Sequence, residues 1–184
     1  MIQSVIKILS IGTLVAHIFL VALALFFIFQ LHKNEKFKKY FIILQNQTML
    51  FAFLVSLTAA SGSLFFSEIA RFEPCSLCWW QRIFLYPQVI ILGIAFWKKD
   101  YGARFYVISL SLIGAVIAGY QYIITEFILT SPQSICSAAG PSCLTNYFTQ
   151  FGYITSPLMS FTAFILIIFL AVIWKKDYGF ALNN

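Results

Sequence analysis

The chain has 184 residues, 61% of them hydrophobic and only 10% charged, with a formal net charge of +6. That is too little polar surface for a soluble globule of this size, so the composition points to a bilayer and excludes a second, soluble domain. Nucleic-acid binding is excluded as well, because the basic residues fall in short clusters between apolar stretches and build no single solvated patch.

A membrane span needs roughly 20 apolar residues, and five stretches qualify: about 8–31, 40–66, 79–97, 105–129 and 156–174. The first follows Lys7, as the core of a signal peptide would. It is longer than the about 7–15 residues of such a core and runs into Gln30-Leu31-His32-Lys33 without a small-residue cleavage site, so it is expected to be a true helix. Lys33, Lys36, Lys38 and Lys39 separate it from the second stretch. The second ends in a short loop, 67–78, that closes with Phe72-Glu73-Pro74-Cys75-Ser76-Leu77-Cys78, where Pro74 suits a helix entry because its missing N–H would have been unpaired there. The third stretch stops at Trp97-Lys98-Lys99-Asp100-Tyr101-Gly102, and the fifth stops at the repeated Trp174-Lys175-Lys176-Asp177-Tyr178-Gly179. Both copies are expected to be cytoplasmic helix stops.

Between the fourth and fifth stretches lies the longest polar segment, 130–155, which holds Cys136 and Cys143. Gly140 and Pro141 favour a turn that brings the two sulfurs together. Leu144, Tyr147, Phe148 and Phe151 then recur at helical spacing, suiting either a short amphipathic turn on the membrane surface or ordinary packing on the bundle. Lys33 to Lys39, Lys98, Lys99 and Arg104, and Lys175 and Lys176 all fall on one side, which the positive-inside rule makes cytoplasmic. The four cysteines are then expected to face the oxidising compartment. Trp79, Trp80, Trp97 and Trp174 sit at the span ends, where indole rings favour the interface. The fold class is all-α and polytopic, with residues 1–184 forming one integral membrane domain.

Cys75 and Cys78 form a C-x-x-C at the start of the third span, where the partial positive charge of a helix N-terminus stabilises a thiolate, the reactive form. Zinc ligation fits poorly, because an oxidising compartment closes thiols into disulfides. A permanent disulfide over so small a loop contributes little stability, so a redox role is preferred. Arg82 follows Cys78 by four residues and Cys75 by seven, so all three share one face if the helix begins by Cys75. One reading of Arg82 is a side chain reaching up to the headgroups. The other is a fixed cation for an acceptor that gathers negative charge on an oxygen, and a quinone is the lipid-soluble acceptor that fits. Gln121, Glu126, His17 and His32 carry weaker signals, with Glu126 near enough to the outer interface to be solvated.

Pro74-Cys75-Ser76-Leu77-Cys78-Trp79-Trp80-Gln81-Arg82, followed by a long apolar helix, a basic turn, another helix and a second outer cysteine pair, resembles the DsbB/BdbC family of quinone-dependent disulfide-forming membrane proteins. The resemblance covers about 40–174. It implies a four-helix transmembrane bundle in a bacterial cytoplasmic membrane, with ubiquinone or menaquinone near Cys78 and Arg82. It also implies that Cys136 and Cys143 exchange with an extracytoplasmic, DsbA-like thioredoxin-fold partner and pass electrons to Cys75 and Cys78, Cys136 forming the mixed disulfide. The helix at 8–31 is additional to that pattern, and the second cysteine pair is spaced more tightly than in proteobacterial members. A vitamin-K-epoxide-reductase-like protein also has two cysteine pairs, but there the loop pair precedes the C-x-x-C. A non-enzymatic scaffold with loop-bracing disulfides stays open at this point, although it leaves Arg82 and the placement of Cys75 unexplained.

Overall fold

The computed structural model describes residues 2–30, with side chains through 22, and residues 47–127 and 149–173. Among them are five helices long and apolar enough to cross a membrane. They are α1 (Ile2–Gln30), α2 (Thr48–Leu64), α3 (Ser76–Lys98), α4 (Arg104–Phe127) and α5 (Ser156–Ile173). The chain is an all-α, multi-pass membrane protein.

Helices α2 to α5 close a ring in which α2 packs on α3, α3 on α4, α4 on α5, and α5 back on α2, while α1 packs outside the ring on α5. This is the expected bundle of four with one helix added. Outward faces carry bare apolar side chains such as Ile90, Val116 and Trp97, as suits lipid. The inner faces are built from small residues, with Ala52, Ala95, Ala115 and Ala118 all buried. Lipid supplies no hydrophobic drive between helices, so close approach over small residues holds such a bundle. Gly114 shows the principle: a Cβ there would overlap the ring of the fully buried Phe164, so α4 meets α5 at that level only because the position is bare. Polar ties add to this, Ser111 Oγ donating to Gln88 Oε1 at 2.9 Å between α4 and α3.

Several boundaries depart from the sequence reading. Helix α1 starts at Ile2, so Lys7 lies within it on an exposed face and does not precede it. Helix α2 runs on into a π-helical turn, Phe65–Ile69. Pro74 is not the first helical residue: Cys75 is the N-cap in extended conformation and Ser76 opens α3, so Pro74 only fixes the approach. The Trp97 to Gly102 stop ends α3 as expected, with Lys99 left-handed at φ 52° and the Asp100 carboxylate accepting from Gly102 N–H at 2.8 Å. A short 3₁₀ turn, Tyr101–Ala103, then leads into α4. Phe151 does not continue a helical run. It sits with positive φ beside Gly152 in a tight turn closed by pairing of Gln150 with Ile154. The second Trp-Lys-Lys-Asp-Tyr-Gly copy, His32 and the segment holding Leu144, Tyr147 and Phe148 lie outside the described residues.

Candidate active site

The α3 N-terminus assembles the site. With Cys75 as N-cap, its carbonyl takes the first helical bond, from Trp79 N–H at 3.1 Å, and Cys78 falls in the first turn. The two sulfurs lie 3.2 Å apart. A disulfide needs about 2.05 Å, so the two sulfurs stand within about 1.2 Å of bonding distance. Cys75 is buried and Cys78 is partly so.

Arg82 lies one turn on from Cys78 and is turned into the protein. It is only 9% exposed. Its Nε donates to Ser63 Oγ at 2.9 Å and its Nη2 to the Ser63 carbonyl at 3.0 Å, while the guanidinium stands 5.4 Å from the Trp79 ring. A side chain reaching for headgroups would point away from the bundle, so this geometry disfavours the anchor reading. Ser63 sits just before the π-helical turn of α2, a widening of the helix that frequently marks functional sites. Ser63 takes two of the five guanidinium donors, and Arg82 also borders a cavity.

That cavity has a volume of about 470 Å³. Cys78, Gln81, Arg82 and Gln121 line it together with Glu73 and several Ser and Thr hydroxyls, and the rest of its wall is mostly apolar side chains of α1, α2 and α5. Such a shape, apolar with a few convergent polar groups, is that of a site for a small amphiphilic molecule.

Gln121 is the residue whose part the sequence did not reveal. It is buried on α4, and its Nε2 donates to both Cys75 Sγ and Cys78 Sγ at 3.4 Å. Its Oε1 accepts from Gln81 Nε2, which fixes the amide's orientation. The available signal was the cost of placing two glutamines, Gln81 and Gln121, inside apolar helices where each needs a partner. Glu126 is exposed, in keeping with a solvated carboxylate. His17 stands apart from the sulfurs and ties α1 to α5. Cys75, Cys78 and Arg82 are thus brought together, whereas Cys136 and Cys143 lie outside the described residues.

Two thiols held within reach of each other inside a membrane bundle put the chain in the class of integral membrane thiol redox proteins. Comparison with known proteins narrows the class. Residues 45–174 match the family described as disulfide bond formation protein DsbB. The chain is 45% identical over 135 residues to the SPbeta prophage-derived disulfide bond formation protein B of Bacillus subtilis, covering 73% of this chain and 84% of the relative. It is 43% identical over 120 residues to the probable disulfide formation protein C of Halalkalibacterium halodurans, covering 65% and 86%. To the disulfide bond formation protein C of Bacillus subtilis it is 42% identical over 126 residues, covering 68% and 91%. No solved structure matches. The chain belongs to the DsbB family of disulfide bond formation proteins.

Proposed function

We propose that this chain is a thiol:quinone oxidoreductase of the bacterial cytoplasmic membrane, with its cysteines on the outer side, that reoxidises a thioredoxin-fold, DsbA-like dithiol partner. The observation that carries the reading is the Cys75 and Cys78 sulfur pair, 3.2 Å apart at the start of a transmembrane helix and sharing a face with the buried Arg82.

Electrons move by thiol–disulfide exchange. The partner's two thiols become a disulfide as a Cys136–Cys143 disulfide is reduced, and that pair is reoxidised as a Cys75–Cys78 disulfide is reduced. Each exchange breaks one S–S bond, forms another and transfers two electrons and two protons. When bound, a quinone supplies the final sink, taking up two electrons and two protons per turnover. The residues present fit such a group: the cavity of about 470 Å³ has mostly apolar walls and polar groups that include Cys78 and Arg82. Arg82 and the α3 N-terminus would hold an oxygen that gains negative charge. Gln121, which lines the same cavity, donates to both sulfurs. The described residues Gln121 of α4 and Ser156 of α5, which flank the Cys136 and Cys143 segment in sequence, line the same cavity as Cys78. That supports delivery of electrons from Cys136 and Cys143.

The reading is tested at Arg82. With reduced partner saturating and quinone varied, Arg82→Gln should cut quinone-dependent turnover by about 10²–10³, the usual loss when one such electrostatic contact is removed. Arg82→Lys should keep part of it, retaining charge without the planar fork. An unchanged rate and quinone dependence in a folded Arg82→Gln protein would overturn the placement of the acceptor.

A further inference from the structure

The family match begins at residue 45, so α1 lies wholly outside it, and nothing in the redox chemistry above uses it. Yet α1 is built into the cavity. Ile6, Ser10 and Thr13 are buried where α1 packs on the bundle. His17 fixes the contact with α5: the Thr162 hydroxyl gives its one proton to the Leu158 carbonyl at 2.8 Å, so its oxygen accepts from His17 Nε2–H, also at 2.8 Å. The His17 ring also stacks on Tyr153 with centroids 6.1 Å apart. Held this way against α5, α1 turns a neighbouring strip, Leu9, Gly12 and Ala16, to the cavity. These positions are spaced by three and four, hence on one helix face.

Across the cavity stand Ala59 and Gly62 of α2. The two helices meet at the Leu9 level, where a Cβ on Gly62 would come within 3.3 Å of Leu9 Cδ1. Beyond it the strip opens, and a Cβ added at Gly12 would meet nothing within 4 Å. Leu9 meets Gly62, and the next residue, Ser63, holds Arg82, so the strip over Gly12 and Ala16 continues along α1 from the level of the polar end.

We propose that α1 is the fifth wall of the acceptor site, and that the isoprenoid tail of the quinone runs in the cleft between α1 and α2, over Gly12 and Ala16. The inference rests on the quinone reading and extends it to the helix that the family pattern lacks. A polar end that includes a cation and a mostly apolar cleft, lined by Phe51, Leu54 and Val55 as well as by Gly12 and Ala16, suit a molecule with a flat polar ring and a long unsaturated tail. A phospholipid acyl chain is the competing occupant, and the test separates the two.

The test is binding, followed by quenching of tryptophan fluorescence in the full-length protein in detergent. Two probes are used, a quinone with no isoprene unit and one with several. The Gly12→Leu change fills open space, with Val15→Phe, on an exposed face of α1, as the control. Gly12→Leu should weaken the tailed quinone about tenfold or more, the usual effect of a misfitting branched group in an apolar pocket, and leave the tailless quinone unchanged. Val15→Phe should alter neither. Should Gly12→Leu fail to accumulate, Ala16→Leu carries the same expectation. Equal affinity of both probes for wild type and variant would overturn the α1 wall while leaving the quinone reading intact. Loss of co-purifying phospholipid with no change in either quinone would assign the cleft to lipid and overturn the proposal. Saturable binding of neither probe to wild type would overturn the inference together with the quinone reading.

Discussion

Replacing Gln121 with leucine tests whether the bundle, and not the C-x-x-C alone, tunes the dithiol. The change keeps bulk but removes the amide that donates to both sulfurs at 3.4 Å. It also strips the buried Gln81 Nε2 of its acceptor. A buried donor left unpaired costs about 1–3 kcal/mol in stability. A hydrogen bond to a charged group is worth about 1.5–3 kcal/mol, but here one amide serves two sulfurs, which are weak acceptors, so the lower end applies. When a small dithiol reduces the Cys75–Cys78 disulfide, the departing thiolate then lacks about 1.5 kcal/mol of stabilisation, or slightly more than about tenfold in rate. The assay is alkylation of the freed thiols over time in detergent-solubilised protein lacking Cys136 and Cys143. Gln81→Leu combined with Gln121→Leu separates the two effects: removing both amides should restore most of the lost stability and none of the lost rate. A reduction rate for Gln121→Leu within about twofold of the parent would refute the reasoning.

Other expectations follow from the bundle and its orientation. A membrane-impermeant thiol reagent applied from outside should label Cys136 after reduction and miss a cysteine introduced at Asp100 or Asp177; labelling at either aspartate would reverse the topology. Cys136→Ala or Cys143→Ala should abolish oxidation of the protein partner while quinone still reoxidises Cys75 and Cys78, and loop variants that turn over partner at the normal rate would break the relay. Gly114→Leu should destabilise the bundle by about 1–3 kcal/mol or more, because its side chain must displace the buried Phe164 ring. Thermal unfolding in detergent measures this, and an unshifted transition would show that α4 and α5 do not meet there.

The positions of the spans were legible because hydropathy over about 20 residues follows directly from the cost of exposing backbone and charge to lipid. Cys78 and Arg82 were legible as one face because their spacing of four matches a helix turn, whereas α3 begins at Ser76 and Cys75 joins them as the extended N-cap. Lateral packing was not. That α1 leans on α5 and leaves a cleft against α2 depends on contacts such as His17 to Thr162, between residues far apart in sequence. Gln121 escaped for the same reason, since its meaning comes from meeting Gln81 and two sulfurs across the bundle. The helical spacing that included Phe151 misled because Gly152 follows it, and the chain turns there with positive φ at both residues.

The central claim, that thiol electrons leave through Cys75 and Cys78 to a quinone, is tested most directly by stoichiometry. Purified protein is mixed with a reduced thioredoxin-fold partner and a soluble quinone analogue without oxygen, and quinone absorbance and free thiols are followed together. One quinone should be reduced for every two thiols lost, with no reaction in Cys78→Ser. Thiol loss without quinone reduction, or quinone reduction that survives Cys78→Ser, would contradict it.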